Sequence, residues 1–161
     1  MLRNDLPAFI KNNACCVTGH RILRKDFDRE LLKEKLENIV LSGYTYFLIG
    51  MARGFDTQCF LALEKIRENN KSVKIYAVIP CLTQDEFFTR KEREEYKRLL
   101  SVSDGRVVLY EKYTDNCMLE RNDFMLKNSS LLLAYYNGYK RGGTYYTLNK
   151  AKRENIEIIY Y

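Results

Sequence analysis

Short apolar runs alternate along the chain with longer amphipathic stretches. Ala14-Cys-Cys-Val17 reads as a buried strand. From Asp26 to Leu41, Phe27, Leu31, Leu32, Leu36, Ile39 and Val40 recur at helical spacing, with Asp26 placed to cap the start and Ser42-Gly43 to stop it. Thr45-Tyr-Phe-Leu-Ile49 is a second strand, rich in β-formers, and Gly50-Met-Ala-Arg-Gly54 is the turn after it. Phe55 to Asn69 is helical, with Phe55, Cys59, Ala62, Leu63 and Ile66 on one face. Val73 to Ile79 is a third strand, closed by Pro80. Asp85 to Leu100 is charged and helical in pattern, and Arg106 to Tyr110 is a fourth strand. After a polar loop at Tyr113 to Asn116 come a helix over Cys117 to Asn128, a strand over Ser130 to Tyr136, a helix over Tyr145 to Glu154 and a last strand over Ile156 to Tyr160.

Strands that alternate with crossover-length helices predict an α/β fold: one Rossmann-like domain, a mostly parallel sheet with helices on both faces. A length of 161 residues suits one domain, and no linker, repeat or low-complexity segment divides it. Six strands suit the order 3-2-1-4-5-6, which sets a ligand crevice at the carboxyl ends of the first and fourth.

Composition adds limits. The longest apolar runs are about six residues, too short to span a membrane, and the N-terminus lacks a basic segment followed by an apolar core, so a cytoplasmic protein is expected. Five cysteines are scattered without C-x-x-C spacing, and His20 is the only histidine, so neither a metal site nor a disulfide framework is expected, and buried thiols are. The net charge of +6 permits an anionic small molecule or nucleic acid as partner. Arg90 to Arg98 interleaves both signs, as a solvated helix face does.

Three loops that follow strands carry chemistry. Thr18-Gly-His-Arg21 follows the first strand; glycine permits a tight turn, and Thr, His and Arg can each meet a phosphate. Gly50-Met-Ala-Arg-Gly-Phe-Asp56 follows the second. Its glycines permit close strand–helix packing, Arg53 can add a phosphate contact, and Asp56 either complements the helix dipole or accepts ribose hydroxyls. Tyr139-Lys-Arg-Gly-Gly-Thr-Tyr-Tyr-Thr147 follows the fifth; Gly142, Gly143 and Thr144 are a strand-to-helix turn, or a phosphate cradle at a helix start. Glu120-Arg-Asn-Asp123 offers Arg121 and Asn122 to the same crevice, or simply faces solvent. The tyrosines crowded at 135–146 either stack on a base or cover the end of the sheet. Nothing resembles a Ser-His-Asp set; the carboxylates available as acid or base are Asp56 and Glu120.

Taken in order, Thr18-Gly-His-Arg21, Gly50 to Asp56, Glu120-Arg-Asn-Asp123, Asn137-Gly138 and Gly142-Gly143-Thr144 resemble the YpsA-like family of the SLOG superfamily, which is related to the DNA-processing protein A (Smf) and Lonely Guy proteins. The resemblance implies a Rossmann-like domain for nucleotides or nucleotide-derived ligands, and it implies self-association. Lonely Guy enzymes hydrolyse cytokinin nucleoside monophosphates with an Arg-Lys pair on a helix and a P-G-G-x-G-T-x-x-E turn. Against that signature Arg121 matches the arginine, Asn122 replaces the lysine, Gly143-Thr144 match G-T, and Thr147 stands where the glutamate would be. N-glycosidic cleavage needs a carboxylate to stabilise the developing ribosyl cation or activate water, which threonine does not supply. The expectation is a module that binds a nucleotide-like ligand of ADP-ribose or NAD type and needs no cofactor. The alternatives are a nucleoside monophosphate phosphoribohydrolase and a DNA-binding protein of DNA-processing type.

Overall fold

The computed structural model describes all 161 residues. A short first strand, β1 (Arg3–Asn4), and a single 3-10 turn precede β2 (Ala14–Gly19). The chain then alternates: α1 (Arg29–Leu41), β3 (Tyr46–Ile49), α2 (Phe55–Asn69), β4 (Lys74–Cys81), α3 (Arg90–Val102), β5 (Gly105–Tyr110), α4 (Cys117–Lys127), β6 (Leu131–Tyr135), α5 (Gly142–Arg153) and β7 (Glu157–Tyr160). One seven-stranded sheet results, in the order β1-β5-β4-β3-β2-β6-β7, parallel except for β1 on its edge.

The strands are apolar throughout because both faces are covered. Cys15 and Val17 point to a core shared with α1, α2 and α3, whereas Ala14 and Cys16 point to a second core shared with α4 and α5. The handedness of crossovers explains this division. From β2 to β5 each strand is laid further toward one edge, so right-handed connections keep their helices on one face. After β5 the chain returns across the sheet to β6, beside β2, and the helices change face.

That return corrects the expected strand order. The strand over Gly105–Tyr110 lies outside β4, not next to β2, and the crevice-forming neighbour of β2 is β6. The side chain of Asp104 fixes this placement. It accepts from the Ile75 N–H at 2.8 Å and from Arg67 at 2.8 Å, with Lys74 at 3.5 Å, all at the start of β4 or on α2.

Helix starts also shift. Asp28, not Asp26, caps α1, accepting from the N–H groups of Glu30 and Leu31. Phe27 leaves the helix and stacks on Tyr161 at 4.8 Å, in a cluster with Phe55 and Tyr135. Asp85 to Phe88 forms turns, and α3 begins after Thr89, whose capping box with Glu92 satisfies two backbone donors. The charged run on α3 behaves as a solvated face, with Arg90 on Glu94 and Arg98 on Glu64 and Glu95. All five cysteines are buried. No helix is long and apolar enough to cross a membrane.

Candidate functional site

Where β2 and β6 part in opposite directions, their carboxyl ends bound a crevice of about 550 Å³. Thr18, Gly19, His20 and Arg21 form one wall; Gly142, Gly143 and Thr144, at the start of α5, form the other. Asp56 enters from the first turn of α2, and Arg121 and Asn122 enter from α4. Ten of the thirteen binding residues expected from the sequence therefore meet in one place.

Two glycines make the convergence sterically feasible. A Cβ on Gly50 would stand 2.6 Å from the Arg121 guanidinium and 2.9 Å from Asp56 Oδ2. Gly54 has a positive φ of 78°, and a side chain there would strike the carbonyls of His20 and Arg21. Its absence lets the Phe55 N–H donate to the His20 carbonyl at 3.1 Å, which fastens α2 to the β2 loop.

Arg121 is 6% exposed and no carboxylate lies within ion-pair distance of it. Nε donates to Asn122 Oδ1 at 2.8 Å and Nη1 donates to the Gly50 carbonyl. Nη2 has no acceptor in the protein. Desolvation pushes the Arg121 pKa down, opposed by the negative charge of Asp56. Asp56 is 5% exposed, and its Oδ2 accepts from the Ala52 N–H at 3.1 Å. Burial lifts its carboxyl from 3.8 to about 6, and Arg121 restrains the rise.

The α5 wall is electrostatically open. No side chain caps the helix, and the N–H groups of Gly142, Gly143 and Thr144 start it without a loop acceptor. These donors and the positive end of the helix dipole favour an anion. Thr144 lines the crevice and does not cap the helix. Thr147 lies beneath, 1% exposed, accepting from Asn122 Nδ2 at 3.0 Å and donating to the Gly143 carbonyl at 2.8 Å.

His20 has a different role from the one expected. Its Nε2 accepts from the Asn137 N–H at 3.0 Å and its ring stacks on Tyr136. Partial burial lowers its pKa, and with Nε2 accepting from Asn137 the ring is a strut between the two walls.

Four residues predicted from the sequence lie outside the crevice or under it. Arg53 faces a second hollow, of about 670 Å³, where it meets Glu92 at 3.6 Å and the ring of Phe88 at 5.4 Å. Gly54 borders that hollow, and Gly50 is fully covered by Arg121 and Asp56. Glu120 lies about 100° around α4 from Arg121, is exposed, and accepts from the Tyr110 hydroxyl in a third concavity, so it cannot act on a ligand in the crevice. Conversely, Arg141 and Asn137 line the crevice without having been singled out as binding residues. Arg141 is the N-cap residue of α5, which starts three residues before Tyr145. The tyrosines mainly brace the structure: Tyr135 belongs to the aromatic cluster, Tyr136 stacks on Tyr145, and Tyr146 bonds Asp123.

Comparisons with known proteins identify the family of the chain. The sequence model of YpsA proteins, described as the YspA SLOG family, matches residues 16–160. The chain is 27% identical over 139 residues to a Bacillus subtilis protein described as the uncharacterized SPbeta prophage-derived protein YoqJ, covering 76% of this chain and 81% of that protein. It is 25% identical over 150 residues to a UPF0398 protein of Bacillus licheniformis, covering 85% of this chain and 81% of the relative. A UPF0398 protein of Bacillus thuringiensis is 26% identical over 128 residues, covering 78% and 70%.

Proposed function

The chain belongs to the YspA SLOG family, and on that footing we propose that its crevice binds a nucleotide or nucleotide-derived ligand, of ADP-ribose or NAD type, as a sensor or binding module. The observation that carries the reading is Arg121: a guanidinium 6% exposed, without an ion-pair partner, lining a crevice whose opposite wall is an uncapped helix start. A buried cation is stable only when its donors are satisfied or an anion completes it. A phosphate between Arg121 and the N–H groups of Gly142 to Thr144 supplies that anion, with Arg21 and Arg141 adding positive charge at the walls. Asp56 then takes the ribose hydroxyls with the oxygen not held by Ala52.

Thermal melting with AMP, ADP-ribose and NAD tests this. At a hundredfold excess over Kd a ligand adds about 2.7 kcal/mol, a rise of roughly 5–10 °C for a domain of this size. A melting temperature unmoved by the whole panel would overturn the reading.

One observation favours a second reading, the phosphoribohydrolase. Asp56, with a carboxyl of pKa about 6 in the crevice, has the poise of an acid–base group near neutral pH. Chromatography of free base released from AMP decides the matter. Hydrolysis would be lost in Asp56→Asn and kept in Glu120→Gln, and intact AMP after prolonged incubation removes this reading.

A further inference from the structure

Arg121 and the glycine turn belong to different helices, yet one chain of hydrogen bonds joins them. Arg121 Nε donates to Asn122 Oδ1, Asn122 Nδ2 donates to Thr147 Oγ1, and Thr147 donates to the carbonyl of Gly143. Three of the four links are side chains under 8% exposed, so water does not compete for these bonds. Both ends face the crevice, whereas Thr147 does not line it. Asn122 has its oxygen taken by Arg121 and its amide engaged by Thr147, so it braces the site where a ligand contact was expected.

We propose that Asn122 and Thr147 are positioning residues that fix the Arg121 guanidinium and the Gly142–Thr144 turn at one spacing, matched to a single phosphate group gripped from both sides. The physical argument is preorganisation. Arginine has several rotatable bonds, and ordering it at the moment of binding costs affinity. The chain orders it beforehand. It also ties α4 to α5, so the two halves of the grip cannot drift apart independently. The inference rests on the nucleotide-binding reading above and concerns what tunes that site.

The test is titration calorimetry with AMP on the full chain, accompanied by melting without ligand. Thr147→Val keeps the side-chain shape and removes the hydroxyl; it is expected to weaken AMP binding about tenfold, and Thr147→Ser to restore it. Asn122→Ala cuts the next link and is expected to match Thr147→Val, which keeps the test usable should one variant fold poorly. The decisive readout is the coupling to Arg121. In an Arg121→Lys background, which has no Nε fork for Asn122 to orient, Thr147→Val is expected to change affinity less than about twofold. Equal losses in both backgrounds, or wild-type affinity in Thr147→Val and Asn122→Ala, overturn the positioning role while leaving nucleotide binding intact. A wild-type chain that binds neither AMP nor the other nucleotides removes the binding reading itself.

Discussion

Asp56 and Arg121 converge on the same spot, the missing side chain of Gly50, yet stay too far apart for an ion pair. The glycine holds the two charges near each other in a space that no larger residue leaves free. Gly50→Ala must displace either the guanidinium or the carboxylate. Displacement of this kind in a packed interior costs about 1–3 kcal/mol, measurable as a lower denaturant midpoint, and nucleotide binding should fall with it. A midpoint within error of wild type would contradict the observed packing.

Arg121→Met separates stability from function. A guanidinium buried without an anion is a liability in the empty protein, and a methionine of similar length fills the same space without charge. The expected result is a melting temperature equal to or above wild type, together with loss of the nucleotide-induced shift. A strongly destabilised variant with ligand binding retained would contradict it.

Asp56 gives a pH signature. Its folded pKa, about 6, lies above the unfolded value near 3.8, so the folded state holds a proton more tightly than the unfolded state. Stability from this group is present at low pH and declines as pH rises from about 4 through 6, by roughly 3 kcal/mol at most. Asp56→Asn should therefore be more stable than wild type at pH 7.5, with the difference shrinking toward pH 4.5. His20 slopes the other way: its folded pKa is lowered, so its contribution is lost as pH falls below the ordinary value near 6.5. Imidazole proton shifts followed by NMR should show His20 titrating below that value.

The pairing of Asn122 with Thr147 predicts how the chain responds to the Lonely Guy pattern. Thr147→Glu alone forces a larger, charged side chain into a site 1% exposed and breaks the hydrogen bond from Asn122, a loss of several kcal/mol. Asn122 Nδ2 stands 3.0 Å from Thr147 Oγ1, so adding Asn122→Lys puts an ammonium group on the neighbouring side chain. Chemical denaturation of the single and double variants should show favourable coupling of about 1–3 kcal/mol. Additive effects would mean that the two positions do not communicate.

Much of the fold is legible in the sequence because buried parallel strands and amphipathic helices have distinct periods, and that pattern places every element from β2 onward. The order of the strands is not legible in it. The same alternation fits a reversal after the third strand or after the fourth, and the choice depends on contacts such as Asp104 with Arg67 and Ile75, which join distant segments. Within the site, the glycine-bearing turns after strands at Thr18 to Arg21 and Gly142 to Thr144 meet in one crevice, as turns at the carboxyl ends of neighbouring strands must. Arg53 and Glu120 line other hollows, which the sequence does not show because a motif gives the loop or helix but not the direction of each side chain. Glu120 and Arg121 are adjacent in sequence and face different hollows. Arg141 escapes notice because glycines at the start of α5 look like turn residues, and they are the first turn of the helix itself.

The bridge from His20 to Asn137 joins residues 117 apart in the chain. The crevice is thus a product of the most distant pairing in the sheet, β2 with β6, and exists only once that pairing has formed. Partly folded chains that have assembled β2 to β5 alone hold one wall and no grip. Contacts of such long sequence separation form slowly. Ligand binding would accordingly report the completion of folding, and in refolding experiments it should return after the helical signal of α1 to α3, in step with protection of the β6 amides.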